Sequence, residues 1–519
     1  MIRRGVIVAC LALAFSASAA PAATVVVVSG RGWGHGVGMS QWGARGYALH
    51  GWGWRRILAH YYPGTRLGAT SNVNVRVLLA ASQPSVDVGC VKGMRVGDGT
   101  GRVWKIRARN YRLTAALHVP HHRLQAPLAF YCDGAPIELD GRAYHGVLVA
   151  YRGGGKLAVV NSVDLEDYVR GVVAGEMPFR WPLPALEAQA VAARSYALAT
   201  LRPGRRFDLF ADDRSQVYGG VGAETARTLD AADDTAGRVV TWDGHVATTY
   251  FFSTSGGRTA DVRDVWPRLG AVPYLRSVPD PYDTGSPVHE WRPVMISPRA
   301  LAARLHVPYG AVRVVRSASG RVSEVFVGSV GLSGEQVQRM LGLRSTWFSL
   351  GELSLTGTAG TVVYGRKTAL AARAQGIGVA LLQRRRGVGD WVTLKRVRGG
   401  ERVTVQPAAY TIYRLAAGVV RGPEVGVAVA PRVRAHPETP TLLAGTVLPR
   451  TSGAVTVWRY GAGGWRVVAH PRLDAHGVFR TPVRLQAGGY RITVGSDARY
   501  AAATRTMHVT TRLLASLHH

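Results

Sequence analysis

Gly171-Val-Val-Ala-Gly-Glu-Met-Pro178, followed by Trp181 and by Ala185-Leu-Glu-Ala-Gln-Ala-Val-Ala-Ala-Arg-Ser-Tyr196, sets a single carboxylate, Glu176, among apolar neighbours. The pattern reads as an apolar strand, a turn that carries Glu176, and an amphipathic helix over 184–200. Leu186, Ala190, Ala193 and Ala197 form a stripe at helical spacing that would pack on a sheet. Pro182 and Pro184 suit the start of that helix, and Arg202-Pro-Gly204 its end. Val172, Val173, Met177, Phe179 and Trp181 would desolvate the carboxylate and raise its pKa. A group that donates a proton and later takes one back needs such a shift. An acid near a helix start also serves as a cap or a solvated charge, and the local sequence leaves both readings open.

Outward from this stretch, residues 24–353 mix short β-like runs with few helices. Val25–Val28 is β-branched, and Val73-Asn-Val-Arg-Val-Leu-Leu79 alternates like a half-buried strand. Gly146–Tyr151 and Leu157–Val160 flank Gly153-Gly-Gly155 as a hairpin, and Asp243-Gly244 marks another. Shorter helices are expected over 298–304 and 334–341. Beyond Leu353 the chain turns to strands and Gly-rich turns, with a weak repeat. Val379 to Arg414 resembles Val455 to Val494, each closing on a Tyr-containing strand. The Pro-rich stretch Ala430–Pro440 reads as the linker between the two units. The expected fold class is an α+β domain, β-rich with a few helices, followed by two small all-β, Ig-like sandwich modules at 354–430 and 431–519.

The chain has 519 residues, about three domains' worth, and its 47% hydrophobic content is ample for packed cores. Arg3 and Arg4, the apolar run Val6–Phe15 and the small residues Ala17–Ala23 read as a secretory signal over 1–23. No later run approaches the ~20 apolar residues of a spanning helix, so the expected location is secreted, outside the cytoplasm. Removal of the signal takes Cys10 and leaves Cys90 and Cys132, an even pair that suggests a disulfide, with two buried thiols as the alternative. The formal charge of +32 favours polyanionic surroundings. Nucleic acid is disfavoured by the export signal and by the lack of any nucleic-acid module. An anionic cell envelope, with wall polymers carrying phosphate or carboxylate, fits both facts, although solvated arginines on bland faces give the same count.

Val163-Asp-Leu-Glu-Asp-Tyr-Val-Arg-Gly-Val-Val-Ala-Gly-Glu-Met-Pro178, with Glu187–Ala197, resembles the signature of the SpoIID/LytB family. Ser215-Gln-Val-Tyr-Gly-Gly220, Tyr250-Phe-Phe-Ser-Thr-Ser-Gly-Gly257, Tyr274-Leu-Arg-Ser-Val-Pro-Asp280 and Leu341-Gly-Leu-Arg-Ser-Thr-Trp-Phe348 are similar to further family elements in the same order. The resemblance covers roughly 140–350. It implies a peptidoglycan glycan-strand enzyme, a lytic transglycosylase, with Glu176 as the single catalytic acid/base. It also implies Arg194, Gln216, Tyr218, Ser253, Thr254, Ser255, Gly256 and Gly257 as cleft or fold-maintaining residues, Arg194 either pairing with a carboxylate or meeting the substrate's. Asp212 and Asp213 would be second carboxylates if the reaction were an ordinary hydrolysis. The LytB side of the family implies the alternative, a non-catalytic wall protein that enhances an amidase.

Two departures follow. Some members carry Cys and His before Gln-Val-Tyr, where zinc binds; here Leu209–Gln216 has neither, so neither a metal nor another cofactor is expected. In many members the Gly-rich His motif closes the domain. Here Gly30-Arg-Gly-Trp-Gly-His-Gly-Val-Gly-Met-Ser-Gln-Trp-Gly-Ala44 opens it, which implies a circular permutation that brings the motif back beside Trp347-Phe348. No Gly-Lys-Ser/Thr follows, so the motif is not a phosphate loop. His35, Ser40 and Gln41 are its candidate cleft residues, with His35 as a loop-holding group the alternative.

Overall fold

In the computed structural model, residues 24–357 and 360–517 are described, and the expected signal at 1–23 lies outside them. The described residues divide into two compact units, one of Gly30–Arg292 with Ala311–Phe348, the other of those within 24–29, 293–310 and 349–517.

The first unit holds the Glu176 stretch. Its helices include α1 (Gln41–Leu49), α2 (Trp54–Tyr61), α3 (Leu165–Glu176), α4 (Leu183–Ala199) and α5 (Ala226–Asp233), with the expected shorter helix present at Gly334–Leu341. The central one is α4, which packs on α1, α2, α3, α5 and the strand Arg238–Trp242. Its composition dictates this place. Ala185, Ala188, Ala190, Val191, Ala192, Ala193 and Ala197 are all fully buried, so the helix is apolar on several faces rather than on one stripe, and small side chains let neighbouring helices come close. Beside the helices runs a seven-stranded sheet in the order 209–210, 74–83, 156–164, 147–153, 128–132, 94–97, 103–105. The predicted hairpin is its centre: Val147 pairs with Ser162 and the register runs unbroken to Gly153 opposite Lys156. Cys90 and Cys132 are joined by a disulfide.

The stretch around Glu176 corrects the first reading. Residues 165–176 are one helix, not an apolar strand and a turn, and Glu176 is its last residue. Gly171 and Gly175 lie one turn apart and form a groove along it. A Cβ on Gly171 would stand 2.5 Å from the Tyr218 ring, and one on Gly175 2.6 Å from the Val217 carbonyl oxygen. The glycines are there for close approach of the 217–220 segment, whose Gly219 N donates to the Gly171 carbonyl at 3.1 Å.

The second unit is built of sheets. Strand Thr24–Gly30 lies in it, between Val294–Ile296 and Phe348–Gly357, followed by Thr368–Gln375 and Gly399–Val405. The β-rich module after the helical domain therefore starts within Phe348–Gly357, and recruits the amino-terminal strand expected in the other domain. One core draws Val27, Leu355, Leu370, Leu382, Tyr413 and Leu415 from two sheets; a second gathers Leu443, Val457, Phe479, Tyr490 and Ile492. The repeat has a structural counterpart: Ala380–Arg385 sits between Val392–Val397 and Thr411–Ala417, as Val455–Gly461 sits between Gly464–Ala469 and Gly488–Val494. The stretch read as a linker is instead a strand, Arg432–Thr439, antiparallel to Leu442–Leu448. Its alternating Val433 and Ala435 feed the second core, which outweighs its prolines because Pro437 sits at a register shift. Among the described residues, no helix is long and apolar enough to cross a membrane.

Candidate functional site

The Glu176 carboxylate leaves the end of α3 and is held by two donors from distant parts of the chain. Gln41 Nε2 donates to Oε2 at 2.9 Å, and the Val217 backbone N–H donates to Oε1 at 2.7 Å. Burial is the main influence and pushes the Glu176 carboxyl above the usual range; the charge of Asp213 adds to this, while the two hydrogen bonds work the other way. The first residue of α1, Gln41, is buried. Ser40 caps that helix by accepting from Gly43 N at 3.1 Å, so its hydroxyl serves the fold. Trp42 packs edge-on against Trp181, ring centroids 4.9 Å apart, giving an aromatic wall next to Gln41. Met177 is also buried, but Phe179 stands exposed and contributes nothing to desolvation.

The Gln-Val-Tyr segment works by alternation. Gln216 and Tyr218 point inward and Val217 outward. Gln216 accepts from the Tyr168 hydroxyl at 2.8 Å, and the Tyr218 hydroxyl donates to Asn161 Oδ1 at 3.0 Å. These two side chains fix the segment so that the intervening N–H meets Glu176. Replacing Gly175 by Ala tests this arrangement. Helix propensity alone would stabilise by about 1 kcal/mol, whereas the added Cβ meets backbone at 2.6 Å. The clash wins, so we expect a loss of about 1–3 kcal/mol in denaturant melts; a stabilised variant would refute the tight packing.

The Ser253–Gly257 motif lies next to α1 through the parallel pairing of Phe251–Phe252 with Met39–Ser40 and the Trp42 N to Ser253 O bond at 3.0 Å. Its polar groups mostly face inward. Thr254 shares a hydrogen bond with Ser286 at 2.8 Å, and Asp283 Oδ2 accepts from Ser255 Oγ at 2.9 Å and Gly256 N at 2.6 Å. Gly257 N donates to Ser255 Oγ at 3.0 Å. Ser253 alone keeps a half-exposed hydroxyl. Behind them the buried Asp280 accepts from the Tyr61 hydroxyl at 2.9 Å, and burial beside Asp283 pushes its carboxyl to about 7.

His35 is a frame residue in this geometry. Its Nδ1 accepts from Val37 N at 3.1 Å, so Nε2 carries the proton toward the Phe251 carbonyl at 3.0 Å. Burial pulls its pKa down to about 4. The Gly-rich loop meets the 344–347 segment as expected: Arg31 N donates to Trp347 O and Gly34 N to Arg344 O, each at 3.0 Å. Arg194 is fully buried and does not reach the surface. It grips Glu166 through Nε and Nη2 at 2.9 and 2.6 Å. Asp212 is tied to Arg214 at 2.7 Å, which lowers its pKa. Among the described residues, no group of three or more His, Cys, Asp or Glu is placed to hold a metal ion.

The structure thus brings Glu176, Gln41 and the Val217 amide together, and sends Arg194, Gln216, Tyr218, Thr254 and Ser255 into supporting contacts. Sequence reasoning missed the Val217 amide, Glu166 and Asp283. Backbone donors leave no residue-type signal, and the two acids lie 28 residues from their partners.

Comparison with known proteins bears on the same region. The family model described as Stage II sporulation protein (SpoIID) matches residues 153–242, from the central hairpin to the strand after α5. An uncharacterized protein of Brachyspira hyodysenteriae is 37% identical over 143 residues, 27% of this chain and 38% of that protein. Stage II sporulation protein D of Bacillus amyloliquefaciens is 31% identical over 212 residues, covering 36% and 60% of the two chains. The amidase enhancer of Bacillus subtilis is 35% identical over 119 residues, 22% of this chain and 15% of that protein. Each match spans less than two thirds of the relative's own length. Helices α3 and α4 and the 217–220 segment that meets Glu176 lie inside residues 153–242, whereas α1 with Gln41 lies outside them, and over that region the chain is similar to the SpoIID/LytB family.

Proposed function

We propose that this protein is a secreted cell-wall enzyme that cleaves peptidoglycan glycan strands as a lytic transglycosylase, with Glu176 as its acid/base. The observation that carries the reading is the half-buried Glu176 carboxyl, raised above its ordinary range yet oriented by Gln41 and the Val217 amide. Protonated, it donates to the bridging oxygen after N-acetylmuramic acid and the C1–oxygen bond breaks. As carboxylate, it then takes the proton of that sugar's own C6 hydroxyl while O6 bonds to C1, closing a 1,6-anhydro ring. No water is consumed, so a second carboxylate is not required. The Arg214 clamp on Asp212 engages one of the two carboxylates that a hydrolysis would call on. The name of the amidase enhancer relative supports a second reading, a wall-binding protein that raises a cell-wall amidase's action. The contacts of the Gly-rich loop with 344–347 support a circularly permuted domain, and two sheets about each core support Ig-like modules as wall-facing spacers.

The test is incubation of the protein with denuded glycan strands and mass spectrometry of the fragments. Products one water lighter than hydrolysis products are expected. No cleavage of denuded strands or of intact wall would leave the enhancer reading. Gln41 gives a sharper prediction. Its donated hydrogen bond favours the carboxylate, so Gln41→Leu raises the Glu176 pKa further. The alkaline limb of the kcat/KM profile, where the acid form is lost, then moves to higher pH; an unmoved or lowered limb would contradict this role.

A further inference from the structure

We propose that a recess between Trp33 and Trp266 is a saccharide-binding subsite, apart from Glu176, that grips a further stretch of the same glycan strand. The recess has a volume of about 280 Å³ and is walled by Trp33, His35, Trp266, Gln338, Arg344 and Thr346, all in the first unit. Trp33 is the telling residue. It sits between Gly32 and Gly34, whose φ angles of +75° and +107° turn the chain sharply on either side. Its backbone is locked: Trp33 N donates to Thr254 O at 2.8 Å, Thr254 N donates to Trp33 O at 3.0 Å, and Gly34 N donates to Arg344 O at 3.0 Å. On this rigid frame the indole is 50% exposed.

Holding so much apolar surface in water forfeits burial free energy, and an aromatic that lines a concave recess together with Trp266 suits ligand binding. The Arg344 guanidinium lies 5.1 Å from the Trp33 ring centroid, which restrains the ring. His35 lies tilted against Trp266, ring centroids 5.0 Å apart, and its two nitrogens are committed to Val37 N and the Phe251 carbonyl. The polar contacts offered to a ligand are therefore the Gln338 amide, the Thr346 hydroxyl and the Arg344 guanidinium. Glu335, also on the rim, is paired with Arg339 at 3.5 Å. This mixture of signs is no cradle for a phosphate. A pyranose ring fits it, its C–H face against indole and its hydroxyl or acetamido groups on the amide and hydroxyl. The seven residue steps from Gly34 to Gln41, whose amide holds Glu176, span at most about 25 Å, a separation within the length of a strand of several sugars.

The proposal rests on the reading that the substrate is a glycan strand, and the two are separable by experiment. The probe is the N-acetylglucosamine hexamer, titrated by calorimetry into the Glu176→Gln protein and into that protein carrying Trp33→Ala or Gln338→Ala, with thermal melts of each. Trp33→Ala is expected to weaken hexamer binding by roughly tenfold or more, and Gln338→Ala, on a helix surface, to weaken it measurably with an unchanged melt. Hexamer affinity equal to the parent's in both variants, or no binding by the parent, overturns the subsite. Wild-type protein that binds the hexamer through Trp33 yet cleaves no strand overturns the lyase reading and leaves the subsite standing.

Discussion

Glu176→Gln is expected to lower strand cleavage by about 10²–10⁴-fold, the usual contribution of a positioned acid/base, without loss of stability. The substitution keeps size and shape. Its amide oxygen still accepts from Val217 N, and the Gln41 amide can turn to offer its oxygen to the new NH2 group, so neither donor is stranded. The sign of the stability change follows from linkage. A carboxyl whose folded-state pKa is raised contributes stability at pH below its unfolded value, and loses that contribution as pH rises through the folded value. Where Glu176 is ionised it is therefore a burden on the fold that the amide removes, and at pH above the folded-state value the melting temperature should hold or rise. Loss of cleavage with an equal or higher melt identifies a group kept for chemistry. A variant that cleaves within tenfold of wild type would move the acid/base role to another residue.

Much of this site was legible because its signals are local in sequence. Glu176, the helix after it, the 147–164 hairpin and the Cys90–Cys132 bridge each announce themselves by residue type and spacing. The misreadings share one cause, a partner that lies elsewhere in the chain. The stretch 171–176 looked like a strand and a turn, whereas it is helical and its Gly171 and Gly175 admit the 217–220 segment. The hydroxyls of Thr254 and Ser255 were open to a cleft or a fold-maintaining role, and Ser286 and Asp283 face them in the second. The stretch 430–440 looked like a linker because of its prolines, although Val433 and Ala435 alternate inward as a strand requires. In each case the local propensity was read correctly and a tertiary contact outweighed it.

Arg194 is where that lesson has the largest energetic consequence. Its guanidinium lies wholly inside the first unit and joins four elements. From α4 it forks onto Glu166 of α3, and it donates to the Ala232 carbonyl of α5 at 3.3 Å and to the Arg238 carbonyl at 3.1 Å, where the next strand begins. Glu166 in turn accepts from Gly237 N at 3.0 Å. Truncating Arg194 to Ala leaves Glu166 with one neutral donor and takes the guanidinium from the Arg238 and Ala232 carbonyls, the second of which keeps the Thr235 hydroxyl at 3.3 Å. Breaking a buried pair in this way costs about 3–5 kcal/mol, most of the margin by which an ordinary domain stays folded. Lysine cannot replace the fork, since an ammonium has no planar pair of donors for the carboxylate, so Arg194→Lys should be destabilised in the same direction. Denaturant melts of both variants decide between a structural and a substrate-binding Arg194. A native melt with cleavage abolished would require the guanidinium to reach the substrate. An unfolded or strongly destabilised protein assigns it to the scaffold that holds α3, and with it Glu176, in place.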